Sequence, residues 1–433
     1  MITMMQRWLS LTGIVGCFLA GMLNAADYTP SNPASPSSSS SSRPEECPPP
    51  PCPPKPCPPC DLKPWCPRTP AYGYQVPCNF AILWDAGPKV CEGIDLFATA
   101  DFLWWTARED GLAFATKGVN NTDTANGGHG NLKHPDFDWA PGFKVGAGAN
   151  LWHDGWDIYA QYTWLHAEGS KTTSTNPAIS AALVQANTNS LYPTWYVGGT
   201  PGTSGTNANF FSPINDPLTK ATGRWDLHFN VIDVELGRNY FVGRHLTLRP
   251  FLGLKATWQH QDYKIRYFRL SLATPPPPTT SGTLTMNRMR QDHDMWGIGV
   301  RFGMNTAWHF TRQWSIFGDW ALAALHTKFD IDRKDRLELY NTDESGNILN
   351  RPRTLTSYNA NNTFYTLKGV LEAAIGLRLD VWLGCNDAYH LRLQAAWEEQ
   401  LWWSQNNMIG RTEECAHGDL MLHGLTIKAR FDF

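Results

Sequence analysis

Beyond its first two dozen residues the chain lacks any apolar run approaching about 18 residues, which excludes helical membrane spans. Mean hydropathy is −0.36, in keeping with that absence. Charge of one sign is missing too. Lys and Arg number 36 against 39 Asp and Glu, a formal net of −3, so there is no electrostatic footprint for a nucleic-acid partner. Catalytic and metal signatures are equally absent. Cys57-Pro58-Pro59-Cys60 has the spacing of a redox pair, but a depressed thiol pKa draws on a helix N-terminus, and flanking prolines preclude that helix. No second CxxC pair or His pair completes a four-ligand zinc site. The expectation is therefore no enzyme, no cofactor and no metal.

What the chain does have is aromatic residues, with 20 Trp, 14 Tyr and 20 Phe, and a strict alternation at its end. Leu425, Ile427, Ala429, Phe431 and Phe433 share one face of a strand, while Thr426, Lys428, Arg430 and Asp432 share the other, because strand side chains alternate with period two. Such a strand suits lipid on one side and a polar interior on the other. A barrel escapes the hydropathy test because only half of each strand meets lipid.

The N-terminus is built differently. Residues 1–26 hold Arg7, an apolar stretch over 8–23 and Asn24-Ala25-Ala26 before Asp27, which reads as a cleavable secretory signal. The rival reading takes Ile14-Val15-Gly16-Cys17 as a lipoprotein cleavage box. Either way the protein leaves the cytoplasm. Residues 27–70 form an arm rich in Ser, Pro and Cys, whose prolines favour extended polyproline II chain over a packed core. Residues 71–92 are read as a connector and 93–433 as a transmembrane antiparallel β-barrel.

Ten strands are expected within 93–433, all-β and antiparallel. The first covers 93–106 and the second 137–152, and His153-Asp154-Gly155 turns into a third from Trp156, since Asp-Gly between alternating runs is a hairpin signal. The fourth shifts phase from Leu227, Phe229 and Val231 to Ile232, Val234 and Leu236, for which a β-bulge near Val231 is the simplest account. Further strands begin near 246, 296, 314, 371, 389 and 425. Tight turns near 154, 243, 312 and 386 alternate with long connections at 107–136, 169–223, 264–293, 328–363 and 403–418. That is the arrangement of outer-membrane barrels, with short turns periplasmic and long loops extracellular. Trp156 and Trp164 lie roughly 20 Å apart along a tilted strand, and Trp296 and Trp308 roughly 30 Å, bracketing the apolar band of about 25 Å between aromatic girdles.

The inward face carries the candidate pore-lining residues Lys144, Asp157, Arg249, Lys255, Arg301, Asp319, Glu372, Arg378, Arg392 and Glu398. Charges at membrane depth must pair or meet water. Two readings stay open: a wet lumen that tunes selectivity, and a salt-bridged plug in a barrel narrow enough for side chains to fill. Leu191-Tyr-Pro-Thr-Trp-Tyr196 and Phe210-Phe211 suit contact with another surface or a loop folded into the lumen. Seven cysteines, Cys47, Cys52, Cys57, Cys60, Cys66, Cys78 and Cys91, precede the first strand, and Cys385 falls in a periplasmic turn. Exported thiols oxidise, so these are disulfide candidates, either within the chain or to other Cys-rich envelope proteins.

The segment Ala100-Asp-Phe-Leu-Trp-Trp-Thr-Ala-Arg-Glu-Asp-Gly-Leu-Ala-Phe-Ala115, the strand end Val234-Glu-Leu-Gly-Arg238 and the terminal Phe433 resemble the pore-forming major outer membrane protein family of chlamydia-like bacteria and legionellae. The resemblance covers roughly 93–433 and implies a porin in the outer membrane of a Gram-negative bacterium, with a disulfide-linked envelope in the chlamydial branch. The Pro- and Cys-rich arm departs from that family's pattern, and no substrate-binding residue carries over. The expected function is diffusion of small hydrophilic solutes and ions, with the arm as a periplasmic tether. The expected partners are outer-membrane lipid, those solutes, Cys-rich envelope proteins and further copies of the chain. The alternative is a non-conducting structural or adhesive barrel that displays long loops.

Overall fold

The computed structural model describes residues 82–84, 95–118, 130–151, 155–175, 191–195, 218–242, 245–271, 282–311, 313–342, 348–383, 388–410 and 417–433. All belong to the second of two units, Asp61–Phe433. The signal, the arm and each disulfide candidate, Cys47, Cys52, Cys57, Cys60, Cys66, Cys78, Cys91 and Cys385, lie outside the described residues.

Ten long strands close into an antiparallel barrel. They are β1 (Leu96–Glu109), β2 (Trp139–Asn150), β3 (Trp156–Ser174), β4 (Lys220–Arg238), β5 (Leu246–Ser271), β6 (Gly282–His309), β7 (Trp314–Thr342), β8 (Arg353–Leu383), β9 (Tyr389–Asn406) and β10 (Gly418–Asp432). Each pairs with its sequence neighbours, and β10 closes on β1 from Leu420↔Glu109 to Asp432↔Phe97. The seam ends where Phe433 N–H donates to Leu96 O at 3.0 Å. Closure leaves no unpaired edge, the condition for strands to sit in lipid.

Alternation sets the two faces. Phe102, Leu252, Val300 and Ile427 point outward and are exposed, while Asp101, Leu103, Lys255 and Thr426 point inward and are buried. On the outer wall Trp164 stands opposite Asn230, Asn230 opposite Trp258, and Trp258 opposite Trp296, which forms one aromatic row; Trp308 and Trp314 sit towards the other margin.

The structure corrects the sequence reading in two places. Strand β4 runs without a register break against both β3 and β5, so there is no bulge near Val231. Leu227, Phe229 and Val231 are buried at 0%, 0% and 2% exposure because they face inward, whereas Ile232, Val234 and Leu236 face out. The alternation never slipped; the inner face changes from apolar to polar along one strand. The second correction concerns the long connections 264–293 and 328–363, much of which is strand. Strands β5, β6, β7 and β8 run 26, 28, 29 and 31 residues, far more than the roughly 10 that cross a bilayer. Beyond the aromatic row they stand out as a wall whose outer face is polar.

Lipid exposure is therefore depth-graded along one strand, and substitutions must follow that grading. Leu252→Arg, midway along the apolar face, is expected to cost about 2–4 kcal/mol, and Asn359→Arg, beyond the aromatic row, about 0–1 kcal/mol. Urea unfolding of refolded protein in lipid measures both; equal costs would place the bilayer elsewhere on the wall.

Candidate functional site

The interior has two layers. Nearer the short turns lies a cavity of about 250 Å³ whose wall carries seven cationic and seven carboxylate side chains. Nine of the ten sequence-selected residues line it: Lys144, Asp157, Arg249, Arg301, Asp319, Glu372, Arg378, Arg392 and Glu398. The tenth, Lys255, is packed beside it, its ammonium 2.8 Å from Asp233 and 2.7 Å from Glu372.

These charges are joined across the lumen. Arg249 donates through Nε to Asp157 at 2.9 Å and through Nη1 to Glu235 at 2.9 Å. Arg301 bonds the same Glu235 and, at 2.6 Å, Glu372. Lys255 on β5 thus meets Glu372 on β8, three strands away. Lys144 on β2 reaches Glu398 on β9 at 2.5 Å, again across three strands. Near the short turns His390 bridges Asp380 at 2.9 Å and Asp432 at 2.7 Å, and Arg392 donates to Asp380 at 2.6 Å. Most of these charges pair, and the wall carries equal numbers of each sign. That satisfies the cost of holding ions at membrane depth and leaves the remaining volume polar.

Above this layer apolar side chains predominate, with buried polar ones such as Glu109, Gln261, His293 and Lys368 set among them. Inward residues from all ten strands, among them Leu103 and Trp105 of β1, Phe229 of β4, Tyr263 of β5, Phe329 of β7, Trp402 of β9 and Leu422 of β10, form one buried cluster. Connecting segments fold into it. Leu112, Phe114 and Leu191 are fully buried and Trp195 is 6% exposed, and 115–117 pairs with both 131–133 and 191–193 in a small sheet. Wall side chains hold these loops by their backbone carbonyls: Tyr263 Oη donates to Leu112 O at 2.7 Å, Tyr267 Oη to Phe114 O at 2.6 Å, and Arg333 to Ile409 O at 2.8 Å and Gly410 O at 2.6 Å. At the boundary between layers, Lys144 stands 4.8 Å from the Trp105 ring centre and Lys255 5.8 Å from that of Trp402, contacts worth up to about 2 kcal/mol when desolvated.

Of the two placements open for Leu191-Tyr-Pro-Thr-Trp, the structure shows the inward one. The sequence reading missed Asp101, Asp233 and Glu235 as members of the charged network. Their signal was available, since Asp233 and Glu235 alternate with the outward Ile232, Val234 and Leu236. It also missed the apolar layer, because an apolar side chain on an alternating strand reads as lipid-facing whichever way it points.

A family model described as the Legionella pneumophila major outer membrane protein precursor matches residues 88–433. No curated protein matches. Among solved structures, the outer membrane protease OmpT from Escherichia coli is 9% identical with a TM-score of 0.31, covering 78% of this chain and 96% of that one. The Pseudomonas putida toluene transporter TodX is 8% identical with a TM-score of 0.22, covering 80% and 90%. A Pseudomonas aeruginosa FadL homologue is 9% identical with a TM-score of 0.18, covering 78% and 89%. Scores this low carry no argument about what the chain does.

The paired network makes its own forecast. Lys255→Met removes a cation from both Asp233 and Glu372 and is expected to cost about 3–5 kcal/mol, the penalty for breaking one partner of a buried pair. Urea unfolding of the refolded barrel reads it. A loss under about 1 kcal/mol would mean that water, not Lys255, compensates those carboxylates.

Proposed function

The chain belongs to the family of the Legionella pneumophila major outer membrane protein precursor, and on that premise we propose that it is a non-enzymatic diffusion channel for small hydrophilic solutes and ions, held closed by its own loops. The observation that carries this reading is the charge-lined cavity of about 250 Å³ inside the barrel. Paired walls with no excess sign favour small polar solutes over either ionic class. A path through the cavity ends at the loop segments around Phe114, Trp195 and Met408. These are not strands of the barrel, so they can leave without opening it. In this reading the short turns and the N-terminal arm are periplasmic, the tall wall is extracellular, and the arm's thiols tether the barrel to Cys-rich envelope proteins or to further copies.

A second reading has an observation of its own. Apolar side chains from all ten strands join in one buried cluster, with Trp105, Trp225 and Trp402 all fully buried, as in a barrel whose interior serves stability alone. The protein would then be a structural or adhesive element displaying its wall and loops.

Planar-bilayer recording separates them. The channel reading expects rare brief openings in the native protein and, in the variant Phe114→Ser with Trp195→Ser, frequent steps with conductance proportional to salt. Both proteins silent, with the barrel shown folded by its heat-dependent gel migration, would leave the structural reading.

A further inference from the structure

One group of side chains on the outer wall has no part in the interior. His166 on β3 and His228 on β4 are directly opposed in register, their rings stacked 4.1 Å apart at 15°. Asp226, two residues before His228 on the same face, takes both: its Oδ1 lies 2.9 Å from His166 Nε2 and 3.5 Å from His228 Nε2. One donor atom from each residue falls within 4.8 Å of the other two. Next in register to His228 comes His260 of β5, its ring 6.2 Å away and its Nδ1 2.7 Å from Asp294, the carboxylate–imidazole pairing that orients metal-ligating histidines. The nearby Arg224 pairs closely with Glu168 at 2.9 Å and more loosely with Asp226 at 3.9 Å, through the oxygen that does not face the histidines.

The position matters as much as the set. This row lies two residues past Trp164 and Trp258, about 5 Å further from the bilayer for a tilted strand, so it sits at the polar margin. The three side chains are 32%, 22% and 47% exposed, open enough for an ion to enter. Two imidazoles opposed at this distance are poor neighbours if both are protonated, since like charges directly across a sheet repel. A shared dication reverses that sign, because it binds imidazole in its neutral form.

We propose that His166, Asp226 and His228 form a binding site for a borderline transition-metal dication of the zinc class, cross-linking β3 to β4 at the membrane margin. Two nitrogens and one carboxylate oxygen suit that class over the hard cations, which prefer all-oxygen sets. Three protein ligands leave an outward coordination position for water or an anionic oxygen. The site is independent of whether the lumen conducts.

The test uses the full, untagged chain refolded in detergent, its cysteines alkylated so that the arm takes no metal, and stripped with chelator before calorimetric titration with zinc ion. Saturable binding of one equivalent is expected. His228→Ala and Asp226→Asn should each weaken it by at least about tenfold, since loss of even an outer partner of a metal ligand costs that much. His326→Ala, on the same wall but stacked on Tyr365 at 5.7 Å, should bind like the native protein. Heat-dependent gel migration verifies that each variant is folded. No saturable binding by the native chain, or unchanged binding in both His228→Ala and Asp226→Asn, overturns the proposal.

Discussion

Everything in this molecule depends on closure of β10 against β1. In a bilayer the backbone has no water to turn to, so each N–H and C=O must be paired by another strand, and only a closed sheet achieves that for every strand at once. The seam from Leu420↔Glu109 to Asp432↔Phe97 is thus a condition for the other nine pairings to persist in lipid. Closing at ten strands also fixes the bore near the size that side chains can span. Lys255 meeting Glu372 and Lys144 meeting Glu398, each across three strands, are that size made visible.

A bore this narrow leaves few ways to hold inward-facing groups. Near the short turns the solution is electrostatic, with carboxylates and cations in equal number closing on one another. Further up it is mainly hydrophobic, with aromatic rings from opposite walls meeting, as Phe229 and Trp402 do edge-on at 5.4 Å. The two solutions need a junction, because a charge next to an apolar layer loses hydration. Lysines over indole rings supply it: Lys144 at Trp105 and Lys255 at Trp402 keep an ion pair on one side and a π face on the other. Polar handles on the rings do likewise, Trp105 Nε1 donating to Thr426 at 3.1 Å.

The strand count, the antiparallel pairing of neighbouring strands and the inward placement of Lys144 or Arg301 were legible in the sequence because lipid imposes an apolar residue at every second position and so phases the rest. Where lipid ends, that phase reference ends. In β6 the outward series Trp296, Ile298, Val300 gives way to Asp294, Asp292, Arg290, while the inward series becomes Met295, His293, Gln291, so neither face is uniformly apolar and a 28-residue strand reads as a loop. The same ambiguity made Leu227, Phe229 and Val231 resemble a slipped lipid face. Loop burial was less legible still. Trp195 is held by Ala113 O at 2.8 Å, 82 residues away in sequence, and nothing local encodes that meeting.

The division of labour between strands and loops has a consequence for how such a barrel changes state. Strand side chains in the charged layer are fixed by ladders that must remain intact for the fold to exist, so that layer can shift its ion pairs but not withdraw. The segments carrying Phe114, Trp195 and Met408 are held by burial, by the small sheet that pairs 115–117 with 131–133 and 191–193, and by a few hydrogen bonds from Tyr263, Tyr267, Arg333 and Gln291 to loop carbonyls. Each such bond contributes about 1 kcal/mol net. Local opening draws on regions with fewer obligatory contacts, and here those are the loop segments folded into the lumen. The barrel's stability and the state of its lumen are therefore set by different interactions, which allows one to vary without the other.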